Sequence, residues 1–305
     1  MPDTVPDPAS GARTRVVVIG DVIDDVVAVP RGPIRTDTDT PSAIRFTAGG
    51  SAANTATWLG TLGASVDFVG LVGYGDVQRH ADGLSAAGVT PHIATHPTLP
   101  TGTIIVIVDG EHRTMYTERG ANAALDPDAV TDELLSRAAV LHLTGYSLFG
   151  DVDAAPFVRL IARARAAGAH VSFDPGSAGF IGDYGVDRFL GDIAGADIVF
   201  PNLEEGRVLT GLDDPFEIAA ELTKRFAVVA LTLDAGGVMV AVPGDDPVLV
   251  EAVVTTIVDP TGAGDAFSAG FIAEYLRTAD PLLAAAAGAG VAARAVASIG
   301  ARPLR

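Results

Sequence analysis

Apolar residues first gather at residues 15–20, where Arg-Val-Val-Val-Ile is β-branched and breaks at Gly20. A run that is apolar at successive positions suits a strand buried on both faces, as in a parallel sheet. Residues 66–72, 140–143, 170–174, 198–200 and 228–233 read the same way. Helical spacing fills the intervals at 52–62, 78–87, 153–167, 204–210 and 216–226. Strands alternating with helices predict an α/β fold: a doubly wound, mostly parallel sheet with helices on both faces. Two further helices, 264–277 and 281–298, follow with no strand between them.

Two segments break the rhythm. Residues 26–47 hold Pro30, Pro33, Pro41 and short β-like pieces, and 102–117 reads as strand, Asp109-Gly110 turn, strand. Asp-Gly between β-rich runs is a hairpin signal. Together they predict one small β-sheet projecting as a lid over a single main domain at 15–305. Residues 1–14, rich in Pro, Asp and Ser, read as a disordered tail.

Charge narrows the partners. Acidic residues outnumber basic ones by 38 to 20, a net charge of −18, which would repel a nucleic-acid backbone. Cysteine is absent, which removes disulfides and thiolate chemistry. Lys224 is the only lysine and lies outside any glycine-rich turn, so a Walker-type phosphate loop is excluded. The longest apolar run, 282–293, is shorter than the ~20 residues a bilayer requires, and the first residues lack a signal-peptide pattern. The expectation is a cytoplasmic protein with no membrane partner.

Candidate chemistry concentrates in Val258-Asp259-Pro260-Thr261-Gly262-Ala263-Gly264-Asp265-Ala266-Phe267. Glycines before a helix let backbone N–H groups of Gly262, Ala263 and Gly264 face an anion without any lysine. Asp265 stands in the first turn of that helix. There it is either an ordinary cap or a general base beside an oxyanion hole. A second glycine pair, Gly49-Gly50, precedes a helix that carries Asn54 in its first turn, a donor and acceptor suited to a polyol. Asp21, Asp24 and Asp25 follow the first strand, where open α/β sheets bind ligands. They read as sugar-hydroxyl acceptors or as solvated turn carboxylates. Gly288 to Ala293 matches a dinucleotide pattern, but inside an alanine-rich helix, and reads as packing. Arg113 and Arg119 flank the hairpin and read as solvated. An NAD-dependent oxidoreductase would need a glycine fingerprint after the first strand, where Asp-Val-Ile stands instead.

Taken together, these segments resemble the ribokinase-like (PfkB) carbohydrate kinases over nearly the whole chain. Gly49 to Asn54 with the following Leu-Gly-Thr-Leu-Gly-Ala run resembles the family's amino-terminal signature. Asp259 to Phe267 resembles its carboxy-terminal one. Pro201-Asn202-Leu203-Glu204-Glu205 resembles its Asn-x-x-Glu segment.

The resemblance implies ATP-dependent phosphorylation of a hydroxyl on a sugar or sugar-like molecule. The alternatives are a nucleoside kinase of the same fold and a catalytically silent sugar-binding regulator. It implies Asp265 as base, with Gly262, Ala263 and Gly264 as the anion hole. Asp25, Gly50 and Asn54 would hold the substrate. Asn202, Thr232 and Gly237 would lie by ATP, and Glu205 would reach Mg2+ through water. Asp259, Thr261 and backbone near Gly300 would bind a monovalent cation, K+. It further implies a homodimer paired through the lid. Departures stand at Asp234, where many relatives have glycine, and at Ser51 and Thr144-Gly145-Tyr146, which argue against ribose.

Overall fold

The computed structural model describes residues 13–109, 112–150 and 152–303, without the side chains of 109–113. Most of the expected tail, Gly110 of the expected turn and the side chain of Arg113 therefore lie outside the described residues. Among the described residues, thirteen strands form two sheets. The first strands are β1 (Arg15–Ile19), β2 (Ile23–Pro30), β3 (Ser42–Gly49), β4 (Ser65–Gly73) and β5 (Val89–His96). Then come β6 (Gly102–Asp109), β7 (His112–Glu118), β8 (Ala138–Thr144) and β9 (His170–Asp174). The last are β10 (Ile198–Val199), β11 (Val228–Thr232), β12 (Val238–Ala241) and β13 (Val248–Val250). The large sheet runs β13-β12-β11-β10-β9-β8-β1-β4-β5 and is parallel from β11 to β5. Antiparallel β12 and β13 extend one edge.

Alternate residues of one strand feed opposite cores. Val17 and Ile19 pack with α3 (Asp132–Arg137), α4 (Ala155–Ala166), α5 (Ala178–Tyr184), α6 (Val186–Asp192), α7 (Leu203–Thr210) and α8 (Pro215–Leu222). Val16 and Val18 pack with α1 (Ser51–Thr61), α2 (Val77–Ser85), α9 (Ala263–Thr278) and α10 (Pro281–Val296). That is the expected doubly wound sheet with helices on both faces. Residues 288–293 lie inside α10, as packing predicts, with Val291 in the core. Among the described residues no helix is long and apolar enough to cross a membrane.

The second sheet, β3-β2-β6-β7, joins both interrupting segments, with β2 parallel to β6 and the other pairs antiparallel. Pleat and register give it two faces. Asp25, Ile104 and Thr117 lie in one cross-strand row, while Phe46, Val26, Ile105 and Tyr116 lie in the next, on the other face. Strand β5 is not foreseen because Pro91 and scattered polar residues blur its alternation; both are tolerated on an edge strand.

Candidate active site

Strand order reverses at β1, which leads to β4 on one side and is flanked by β8 on the other. Loops diverge at such a point and leave a crevice at the carboxyl ends of the strands. Here it is a cleft of about 1180 Å³ between those ends, the start of α9 and the inner face of the small sheet, from which Ile104, Val106, Met115 and Thr117 contribute.

The start of α9 is shaped by Gly262, which takes φ 75° as its N-cap. A Cβ there would lie 2.6 Å from Ala301 Cβ. Only glycine lets the chain turn left-handed this close to its neighbour. Helix geometry leaves the first-turn N–H groups without partners four residues back, so they are available to an anion. Ala263 partly departs from that expectation, because its N–H donates to Pro260 O at 3.3 Å.

Asp265 makes no capping bond. Its carboxylate reaches across to α1, where Ser51 Oγ donates to Oδ1 at 2.6 Å and Asn54 Nδ2 donates to Oδ2 at 2.9 Å. Burial pushes its pKa up to about 6, against the opposing effect of these two hydrogen bonds. A carboxylate so placed is ionised near neutral pH and basic enough to accept a hydroxyl proton.

The three acids after β1 meet three fates. Asp21 caps α1 from outside the helix, accepting from Ser51 N at 2.8 Å and Ala52 N at 3.1 Å. Gly50, at φ 94°, permits this, since a Cβ would lie 2.4 Å from Asp21 O. Asp24 instead pairs with Arg79 at 2.6 Å. Asp25 lines the cleft with Gly50 and Asn54. Its carboxylate lies over the bare Cα of Gly49, where a Cβ would sit 2.1 Å from Oδ2. Burial pushes Asp25 up to about 7; nearby Arg302 opposes that, and Asp21, Asp24 and Asp265 reinforce it.

On the far side, Asn202 and Glu205 form a capping box at α7. Glu205 N donates to Asn202 Oδ1 and Asn202 N to Glu205 Oε2, both at 2.9 Å. Both residues also line the cleft, and burial pushes Glu205 up to about 7. Asp174, at the end of β9, is raised well above the carboxylate range by burial and by the nearby charges of Glu205 and Asp265. Sequence reasoning missed it, although it ends a foreseen strand at the carboxyl edge, which is a usable signal.

Thr232 borders the cleft beside Asn202 through an isolated bridge. Gly237 is not among the cleft-lining residues; it sits in the turn to β12 at φ 96°, where a Cβ would lie 2.2 Å from Val250 O. Asp234 adopts φ 49°, a left-handed conformation that aspartate tolerates better than most residues. Asp259 accepts from Thr261 N and Oγ1 at 3.0 and 2.7 Å through Oδ1, and from Gly300 N at 3.0 Å through Oδ2. The structure thus gathers those three residues. Among the described residues no group of three or more His, Cys, Asp or Glu could hold a metal by itself.

Arg119 corrects the expectation of a solvated side chain. It is half-buried in the cleft wall, donating to Tyr146 O at 2.9 Å and to Phe149 O. The peptide carbonyls after β8 supply acceptors that no local pattern announces. Beside it Tyr146, Phe149 and Phe180 form an aromatic wall with centroids 5.5–6.3 Å apart. Tyr146 and Phe149 come from the one segment after β8 and Phe180 from the short helix α5, so the wall has no periodic trace in the sequence.

The chain is similar to known proteins over most of its length. The chain is 32% identical over 272 residues to the 1-phosphofructokinase of Rhodobacter capsulatus, covering 85% of this chain and 83% of that one. It is 35% identical over 243 residues to the ATP-dependent ribose-1-phosphate kinase of Halopiger xanaduensis, covering 77% and 76%. The adenosine kinase structure from Sinorhizobium meliloti superposes with a TM-score of 0.85 at 26% identity, covering 96% and 97%. A family profile described as pfkB family carbohydrate kinase matches residues 13–304, and the chain belongs to that family of phosphotransferases acting on an alcohol group.

Proposed function

We propose that this protein transfers the γ-phosphoryl group of ATP to a hydroxyl of a sugar or sugar-like molecule, with Asp265 as general base. The observation that carries the reading is the direction of the Asp265 side chain. It leaves its own helix start uncapped and meets Ser51 and Asn54 across the cleft. Asp25, Gly50 and Asn54 hold the acceptor, so that one hydroxyl takes the place of Ser51 on Asp265 while Asn54 keeps its hydrogen bond to the carboxylate. Asp265 takes the hydroxyl proton as the oxygen attacks. The N–H groups at Gly262, Ala263 and Gly264 stabilise charge on the phosphoryl oxygens. Asn202 and Thr232 border the nucleotide, and Gly237 shapes the turn that follows Thr232. The small sheet acts as a lid, and water exclusion limits idle ATP hydrolysis.

Asp174 and Glu205 are buried carboxylates whose ionisation is disfavoured without a cation, and hard oxygen donors of this kind suit Mg2+. When bound there it would neutralise phosphate charge. Asp259, Thr261 and the backbone at Gly300 offer oxygen donors to a monovalent cation, and K+ is the choice to test. The protein acts in the cytoplasm.

The aromatic wall favours a second reading, a nucleoside acceptor whose base lies against Tyr146, Phe149 and Phe180. A phosphate-bearing acceptor, as in the names of two relatives, is less well served, because Arg119 is engaged by carbonyl groups and Arg188 lies over the Tyr184 ring at 4.1 Å. The deciding assay presents ATP and Mg2+ with sugars, sugar phosphates and nucleosides, with and without K+. The reading expects stoichiometric transfer to a hydroxyl of a sugar or nucleoside. ATP loss indifferent to every acceptor would contradict it.

The lid also pairs two copies in this proposal. Its outer row exposes Phe46 (80%), Tyr116 (58%) and Ile105 (43%), an apolar surface that suits burial between protomers. Phe46→Asp is expected to shift a dimer to monomer in light scattering. An unchanged mass at equal concentration would refute pairing through this face.

A further inference from the structure

Residues 300–302 touch the site at Asp259, at Gly262 and at the Gly49–Asn54 segment. Gly300 N donates to Asp259, and Ala301 packs against Gly262 while its carbonyl accepts from Trp58 Nε1 at 2.9 Å. The next side chain, Arg302, reaches the acceptor end. Its Nε donates to Asn54 Oδ1 at 3.0 Å and its terminal nitrogen to Gly49 O at 2.8 Å.

We propose that Arg302, anchored on Gly49 O, is a positioning residue that fixes the side-chain amide of Asn54 for acceptor binding and proton transfer. The argument rests on donor and acceptor chemistry. A guanidinium only donates, so its partner on Asn54 must be the amide oxygen. The amide nitrogen then faces Asp265, where it donates at 2.9 Å. With the amide reversed, its oxygen would confront the Asp265 carboxylate and its N–H2 would confront Arg302. One arginine thus selects the orientation in which Asn54 supports the base. The same cation lies among Asp25, Asp21, Asp265 and Asp24, whose attraction opposes the burial that draws Arg302 down to about 10. Gly49 O ties this contact to Asp25, whose carboxylate lies over the Gly49 Cα.

The role depends on the proposed parts played by Asn54 and Asp265, and its test separates the two. Arg302→Met, Arg302→Lys, Asn54→Ala and the Met/Ala double variant are compared for kcat, both KM values and melting temperature. Arg302→Met is expected to lower kcat/KM for the acceptor about ten- to hundredfold, the scale of a lost charge-assisted hydrogen bond. KM for ATP should hold within about twofold. Arg302→Lys should recover part of the loss. Because Arg302 acts through Asn54, adding Arg302→Met to Asn54→Ala should do little further harm. Additive losses, or an equal rise in KM for ATP, would overturn the proposal. If the wild type phosphorylates no acceptor, the kinase reading fails. The contact is then still tested by melting temperatures, where additive effects of the two substitutions would overturn it.

Discussion

Asp265→Asn is expected to lower kcat by about 10³–10⁴ while leaving the fold and acceptor binding in place, a loss on the scale of general base catalysis. Asparagine keeps the shape, accepts from Asn54 and donates to the Ser51 hydroxyl, but it cannot take a proton. The fold should tolerate the change because the native carboxylate is itself a liability. Its rise from 3.8 to about 6 corresponds to ~3 kcal/mol of ionisation cost at neutral pH. The folded-state pKa lies above the unfolded one, so the native protein holds this proton more tightly, and the penalty grows as pH rises through 3.8 toward about 6. A melting temperature equal to or above wild type, with kcat collapsed, is the expected pair of results. Near-normal turnover would remove Asp265 from the mechanism.

Gly262→Ala comes second in expected effect, at about 10²–10³ in kcat, the scale of losing one oxyanion-hole donor. Two constraints meet at this position. At φ 75° a side chain is strained, and the new Cβ would come within 2.7 Å of Ala301 Cα, so either the helix start or residues 300–302 must shift. Gly264→Ala is the matched control. At that site a Cβ meets nothing nearer than Asp174 Oδ2 at 3.9 Å, and alanine is the better helix former. It should leave the melting temperature unchanged or raised. Thermal stability falling only for Gly262→Ala would identify the left-handed turn as the strained element. Equal kcat in Gly262→Ala and wild type would show that the hole does not need this turn.

The frame of this molecule is legible in its sequence because the central strands are apolar on both faces and the helices recur between them. Residues 15–19 and 170–174 carry that signal locally, and the structure places β1 and β9 there. The edges are harder to read. Strand β5 needs only one buried face, and β12 and β13 add short antiparallel pieces with no crossover helix to announce them.

The same division holds at the site. Glycine pairs beside helices mark Gly49-Gly50 and Gly262 because tight turns leave a compositional trace. Partners brought together from distant parts of the chain leave none. Nothing near residue 21 indicates that its carboxylate caps α1, nor does anything near residue 302 indicate a guanidinium on Asn54. Arg119 reads as a surface cation until the carbonyls of Tyr146 and Phe149 close on it. Asp174 carries no motif, and its meaning comes from proximity to Glu205 and Asp265.

The pH dependence of kcat/KM for the acceptor tests the central claim most directly. Buried Asp265 at about 6 and half-buried Asp25 at about 7 both line the cleft, so they titrate as an interacting set that includes Asp21 and Arg302. A base must be deprotonated, so activity is lost as pH falls through these values. The account expects an acid limb with an apparent pKa between about 6 and 7, falling tenfold per pH unit below it. A profile that stays flat from about pH 8 down to about pH 5 would contradict a buried carboxylate acting as the base.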